Sequence, residues 1–180
     1  GDGIDEDAYG MRMMADRLPE VIVASSCSKN FGLYRERTGS ITFITKTPQQ
    51  ADIVVSQAMS TARSIYSMPP AHGALLVSMV LGDPDLNHQW RSELEEVRLR
   101  IKAMRGLLCD SLAGNPAGMN FGHIKHHKGM FSFLGITSSQ LDRLREEFGI
   151  YIVSSTRINL AGVNSTNIDH LTQSLLKVLQ

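Results

Sequence analysis

The chain has 180 residues, 42% of them hydrophobic and 20% charged, with Lys and Arg (18) balancing Asp and Glu (18). That length can bury a core and suits one domain or two small ones, and the zero net charge leaves no long-range field to recruit nucleic acid or an anionic membrane. Its two cysteines, Cys27 and Cys109, do not make a disulfide scaffold or a metal knuckle and suit a reducing compartment, while no apolar run approaches the roughly 20 residues that cross a bilayer.

Residues 1 to 20 begin acidic, with Asp2, Asp5, Glu6 and Asp7. Asp5 or Asp7 is placed to cap a short helix from Tyr9 to Leu18, stopped by Pro19; a solvated surface turn is the other reading of the acidic start. No signal or transit segment is visible at Gly1. The runs Val21 to Ala24 and Ser40 to Ile44 are short and rich in β-branched residues, which predicts buried strands of a parallel or mixed sheet. Between them lies a loop of small residues and hydroxyls carrying Lys29 and Arg37. These side chains suit a phosphate and a carbonyl, with the Ser26 hydroxyl and Arg37 guanidinium for the phosphate and the Lys29 amine for an imine (Schiff base). Taken singly, Lys29 also reads as a surface lysine and Arg37 as an ion-pair partner of Glu36 or another acid.

Thr47 and Pro48 open a helix, Thr47 as N-cap and Pro48 at the first helical position, with Ile53, Val54, Gln57, Ala58 and Thr61 keeping a helical period to about Ser64. Pro69 and Pro70 break the chain. Gly73 to Leu81 is almost wholly apolar and reads as a buried helix ended by Gly82-Asp83-Pro84. From about residue 85 to 112, Leu86, Trp90, Leu94, Val97, Ile101, Met104 and Leu108 step by three or four among Glu, Arg, Lys and Ser. This is one amphipathic helix with a narrow apolar stripe, serving a coiled-coil seam or joining two domains. Met119 to Ile124 and Gly129 to Ile136 read as strands joined by the basic turn His126-His127-Lys128. Ser138 is placed to cap a helix through Phe148 that Gly149 ends. Ile150 to Val153 and Ile158 to Leu160 read as strands, and Asn164 or Ser165 as the cap of a last helix.

The segment Ser26-x-x-Lys29-Asn30-Phe31-Gly32-Leu33-Tyr34-x-Glu36-Arg37-x-Gly39 resembles the lysine segment of the fold-type I, class I aminotransferases of the aspartate and aromatic type. The resemblance continues in Tyr66 to Gly73, Gly129 to Phe133, Leu144 to Tyr151 and Ser155 to Gly162. It implies an α/β fold: the C-terminal part of a large cofactor-binding domain, a mixed sheet with helices, over residues 1–96, then a small α+β domain over 97–180. In the family a long helix joins the two. It implies pyridoxal 5'-phosphate held as an imine on the catalytic lysine Lys29, with Ser26 and Arg37 on the phosphate. The lysine then moves a proton between the substrate Cα and the cofactor, so its amine must be neutral part of the time, favoured by burial and nearby positive charge such as Arg37. Arg157, standing between two β-runs, would grip the substrate α-carboxylate bidentately. Arg63 would reach the partner subunit's site in a homodimer and read the side-chain carboxylate of aspartate, glutamate and their 2-oxo acids, without excluding aromatic substrates. Phe131 would line the site. Without the resemblance, Arg157 reads as a structural ion-pair partner, Arg63 as a helix-surface arginine and Phe131 as a strand core residue.

His123, His126 and His127 are not expected to bind metal, since no carboxylate or cysteine accompanies them, and His72 reads as a structural histidine. The family's acid at the pyridine nitrogen, the ring stacked on the cofactor and the glycine-rich phosphate turn come earlier in its chain, and no residue here matches them. The expectation is therefore a C-terminal fragment of a cytoplasmic aminotransferase, or a mitochondrial one. The alternative is that these 180 residues alone form a catalytically inactive folded unit. A lysine-loop phosphate binder without aminotransferase chemistry leaves Arg157 and Arg63 unexplained.

Overall fold

The computed structural model describes residues 1–180 and divides into two compact units, Gly3–Leu94 and Glu95–Gln180, the latter including Gly1 and Asp2. The mixture of helices and short strands is α/β in class. No helix is long and apolar enough to cross a membrane.

The first unit begins with α1 (Ile4–Arg17), whose N-cap is Gly3. Neither expected aspartate caps it: Asp5 lies inside the first turn and accepts a bond from Arg12 at 2.8 Å. Acid in a first turn still favours the helix through its dipole. Next come β1 (Val21–Ser26) and β2 (Gly39–Ile44), an antiparallel two-stranded sheet with Val21 opposite Ile44 and Ser26 opposite Gly39. α1 packs on β1, and α2 (Pro48–Tyr66) packs on β2. Thr47 caps α2 as its sequence dictates, its hydroxyl accepting from the Gln50 amide, and Pro48 fills the first turn. α3 (His72–Gly82) follows. The expectation of buried strands in a parallel or mixed sheet, and of a buried third helix, is corrected here: within this chain the strand pair is antiparallel, and both it and the helix are largely exposed. Ile22 is 69% exposed and Met79 62% exposed. Only Ser28 and Gly73 are buried in this unit. The apolar patterns are real, but these residues have nothing in this chain to be buried against.

The last helix to start in the first unit, α4 (Pro84–Ser111), continues into the second. The second unit holds the whole apolar core. Leu108, Leu112, Ile124, Leu134, Leu144, Leu160 and Leu175 are fully buried. They come from α4 and the residue just after it, α5 (His123–His126), the segment after β3 (Phe131–Phe133), α6 (Ser138–Phe148), the 3-10 turn after β4 (Arg157–Asn159), and α7 (Ile168–Val178). β3 and β4 pair antiparallel, Phe131 opposite Asn159 and Phe133 opposite Arg157.

Three expectations fail in this unit. The strand expected over 119–124 is a turn leading into α5, where His126 is helical. The segment 150–153 pairs with no strand. Of the strand expected over 129–136 only the three residues of β3 form, paired with the equally short β4. The caps of α6 and α7 fall elsewhere than expected. Thr137, not Ser138, caps α6, in a reciprocal box with Gln140. α7 starts after Asn167 with no side-chain cap; Asn164 instead accepts from the Thr166 amide at 2.9 Å.

Candidate active site

The lysine loop is closed at its base by the strand pair. Beyond the Ser26–Gly39 register, the Cys27 amide donates to the Thr38 carbonyl at 3.0 Å. Lys29 and Arg37 therefore ride on one short loop, with Ser26 at the end of the strand that leads into it. The Ser26 hydroxyl accepts from the Ser28 amide at 3.2 Å and donates to the Ser28 hydroxyl at 3.0 Å. Ser28, only 5% exposed, is the buried anchor beneath an exposed Ser26. Arg37 has φ 52°, the left-handed region that costs a non-glycine residue about 1–2 kcal/mol. Its guanidinium donates to the Tyr34 carbonyl at 3.1 Å. Glu36 is not its partner; that carboxylate meets His72 Nδ1 at 2.9 Å, which gives His72 the structural role expected.

Lys29 is exposed, its amine 5.3 Å from the centre of the Tyr34 ring, a cation–π separation. These 180 residues supply none of the burial that a catalytic amine requires. Next to it, Phe31 stacks on Trp90 with ring centres 4.7 Å apart and planes 10° from parallel, and the Trp90 indole donates to the Asn30 carbonyl at 2.8 Å. From the other side Gly73, at the start of α3, presses on the residues flanking Arg37. A Cβ there would lie 1.9 Å from Thr38 Oγ1 and 2.8 Å from Glu36 Cβ. Arg63, on the exposed face of α2, bonds nothing within the chain through its guanidinium.

In the second unit, β3 and β4 alternate faces. Ser132 and Ile158 point inward; Phe131, Phe133, Arg157 and Asn159 point outward. The Arg157 guanidinium carbon lies 4.7 Å from the centre of the Phe131 ring. This stacked fork has no carboxylate partner in the chain, so the structural ion pair is not made. Beside it runs an apolar groove of about 460 Å³ lined by Phe131, Tyr151, Val153, Arg157, His170 and Leu171 among others. No group of three or more His, Cys, Asp or Glu is arranged to hold a metal ion.

Sequence reasoning did not single out Gly73, Trp90 as a prop for the loop, or the buried Arg105. For Arg105 the signal was present: it stands four residues after Ile101 and three before Leu108, both on the apolar stripe. For Gly73 there was none, since its contact joins segments far apart in sequence.

The first unit, taken by itself, presents a hydroxyl, an amine and a guanidinium around one closed loop, and the second, by itself, a guanidinium over an aromatic ring beside an apolar groove; each offers donors to a small anionic group. The chain belongs to the class I and II aminotransferases, whose family model matches residues 1–175. It is 47% identical over 177 residues to the aspartate aminotransferase of Haemophilus influenzae, covering 98% of this chain and 45% of that protein. It is 43% identical over 178 residues to the aromatic-amino-acid aminotransferase of Pseudomonas aeruginosa, covering 99% of this chain and 45% of that one. Among solved structures, an aromatic-amino-acid aminotransferase from Burkholderia pseudomallei covalently bound to pyridoxal phosphate superposes with a TM-score of 0.93 at 43% identity. All of this chain and 45% of that one are covered. The chain thus spans a little under half the length of these relatives.

Proposed function

We propose that these residues belong to a pyridoxal-phosphate-dependent aminotransferase that exchanges amino groups between aspartate or glutamate, and aromatic amino acids, and 2-oxo acids. The observation that carries this reading is the match of the whole lysine loop to the family, with Lys29 and Arg37 held on one closed turn and Ser26 at its entry. The donor set fits the cofactor: Ser26 and Arg37 offer a hydroxyl and a fork to a phosphate, and Lys29 an amine to an aldehyde. When bound, pyridoxal phosphate supplies the carbonyl and the electron-withdrawing ring. Lys29 takes and returns the proton at the substrate Cα. Arg157 holds the α-carboxylate with its two parallel donors, on the ring of Phe131. Arg63 reads a second carboxylate, in the partner subunit of a homodimer, which favours dicarboxylic substrates. Two free thiols, Cys27 and Cys109, agree with a cytoplasmic setting. Turnover is assigned to the whole aminotransferase, in which residues 1–96 belong to the large domain and 97–180 to the small one.

Lys29→Ala tests the reading in the cofactor-loaded enzyme. The variant should lose the visible absorption of the bound cofactor and the mass added to residue 29 by borohydride reduction. Transamination should slow by at least about 100-fold. A variant that keeps its spectrum and turnover refutes the role of Lys29.

A further inference from the structure

Arg105 lies 4% exposed in the core of the second unit. Its guanidinium makes no ion pair. One nitrogen donates to the Ser132 hydroxyl at 2.6 Å and the Ile124 carbonyl at 3.2 Å; the other donates to the Gly129 carbonyl. Burial without a counter-charge disfavours the charged form and lowers its pKa from the ordinary arginine value. A buried charge without a partner carboxylate is costly, and an aliphatic side chain would fill the same core space without that cost. What the guanidinium supplies instead is geometry. Its planar fork fixes three acceptors from three pieces of chain: the second residue of α5, the residue two before β3, and the middle of β3.

Ser132, the residue it grips, is the inward-facing member of β3, and its neighbours Phe131 and Phe133 face outward. Phe131 carries the Arg157 guanidinium, and Phe133 pairs with Arg157 across the sheet. A second arginine of α4, Arg100, clips the far end of β4 by donating to the carbonyls of Ala161 at 3.0 Å and Val163 at 3.1 Å. Two guanidiniums from one helix therefore hold the strand pair, one at β3 and one just beyond β4.

We propose that Arg105, acting through Ser132, is a positioning residue for the carboxylate-binding face made by Phe131 and Arg157. This rests on the reading of Arg157 given above and adds to it the internal support that sets its aim. A shift of about 1 Å at such a fork loses the second of two parallel donors, and misplacement of that size costs up to about 100-fold.

The test uses the pyridoxal-phosphate-loaded enzyme with Arg105→Lys, which keeps charge but lacks the fork, and Ser132→Ala, which removes one acceptor. Calorimetric titration with an unreactive saturated dicarboxylate should show Kd raised about tenfold in both. The KM for the amino donor should rise alongside, with kcat within about twofold and the cofactor spectrum unchanged. An amine substrate lacking the α-carboxylate should show an unaltered KM, which a general loss of structure would not spare. If Arg105→Lys fails to fold, Ser132→Ala decides. Unchanged dicarboxylate binding in a folded Ser132→Ala protein overturns the positioning role, as does equal weakening of both ligand classes. If the unaltered enzyme binds no dicarboxylate, the assignment of Arg157 falls first and this role falls with it.

Discussion

At Gly73 there is no room for one more carbon. The methyl of an alanine would collide with Thr38 Oγ1 and with Glu36 Cβ, and the second of these sits next to the backbone that carries Arg37. Forcing a methyl into a filled contact costs about 1–3 kcal/mol when the surroundings must shift, and here the yielding element is the loop that presents Arg37. Gly73→Ala should therefore weaken pyridoxal phosphate binding about tenfold, the equivalent of about 1.4 kcal/mol, measured by equilibrium dialysis of the loaded enzyme. Cofactor affinity equal to that of the unaltered protein would show that the loop tolerates the contact. Residue chemistry was the most legible layer in the sequence. The types and spacing of Ser26, Lys29 and Arg37 pointed to one loop; Lys29 and Arg37 lie on it, and Ser26 is the last strand residue before it. The strained backbone at Arg37 and the packing at Gly73 were not legible, because both are set by what lies opposite in space.

Among the elements, the longer helices after α1 were read within a few residues, and so were β1, β2 and β4; α1 starts five residues before its expected start, α5 was read as strand and turn, and the strands expected over 119–124 and 150–153 do not form. A helix satisfies its own backbone, so its limits are written locally. In α6, Thr137 Oγ1 accepts from the Gln140 amide, the Gln140 side chain accepts from the Thr137 amide at 2.8 Å, and Gly149 closes the other end with φ 66°. The expected cap was one residue late because Ser138 is as good a capping type as Thr137; the glutamine three residues on selects the threonine. Thr137→Ala should destabilise the protein by about 1 kcal/mol, read from the midpoint of urea unfolding followed on the second unit. No shift would mean that tertiary packing alone fixes the helix start. A strand needs a neighbour, and Ile150 to Val153 has the β-branched residues but no neighbour to pair with.

For the whole molecule, the division of burial is sharper than the division of sequence. Every buried apolar side chain belongs to residues 108–179, while the first unit buries only Ser28 and Gly73. Its apolar faces include Ile22, Met59 and Ile65, each more than two-thirds exposed. Periodicity tells what a face is built to cover, not whether the cover is present, which is why buried strands and a buried third helix were expected. Since protection from exchange follows buried contacts, amides of the 180-residue chain in Leu108–Val178 should exchange at least about 100-fold more slowly than those in β1, β2 and α3. Uniform protection by amide hydrogen exchange across both units would contradict this account.

The stack of Phe31 on Trp90 has a practical consequence. The chain has a single tryptophan, and it is clasped to the backbone of Asn30, one residue from Lys29. Indole emission from this polypeptide thus originates beside the lysine, giving it a built-in optical reporter of that neighbourhood with no label attached.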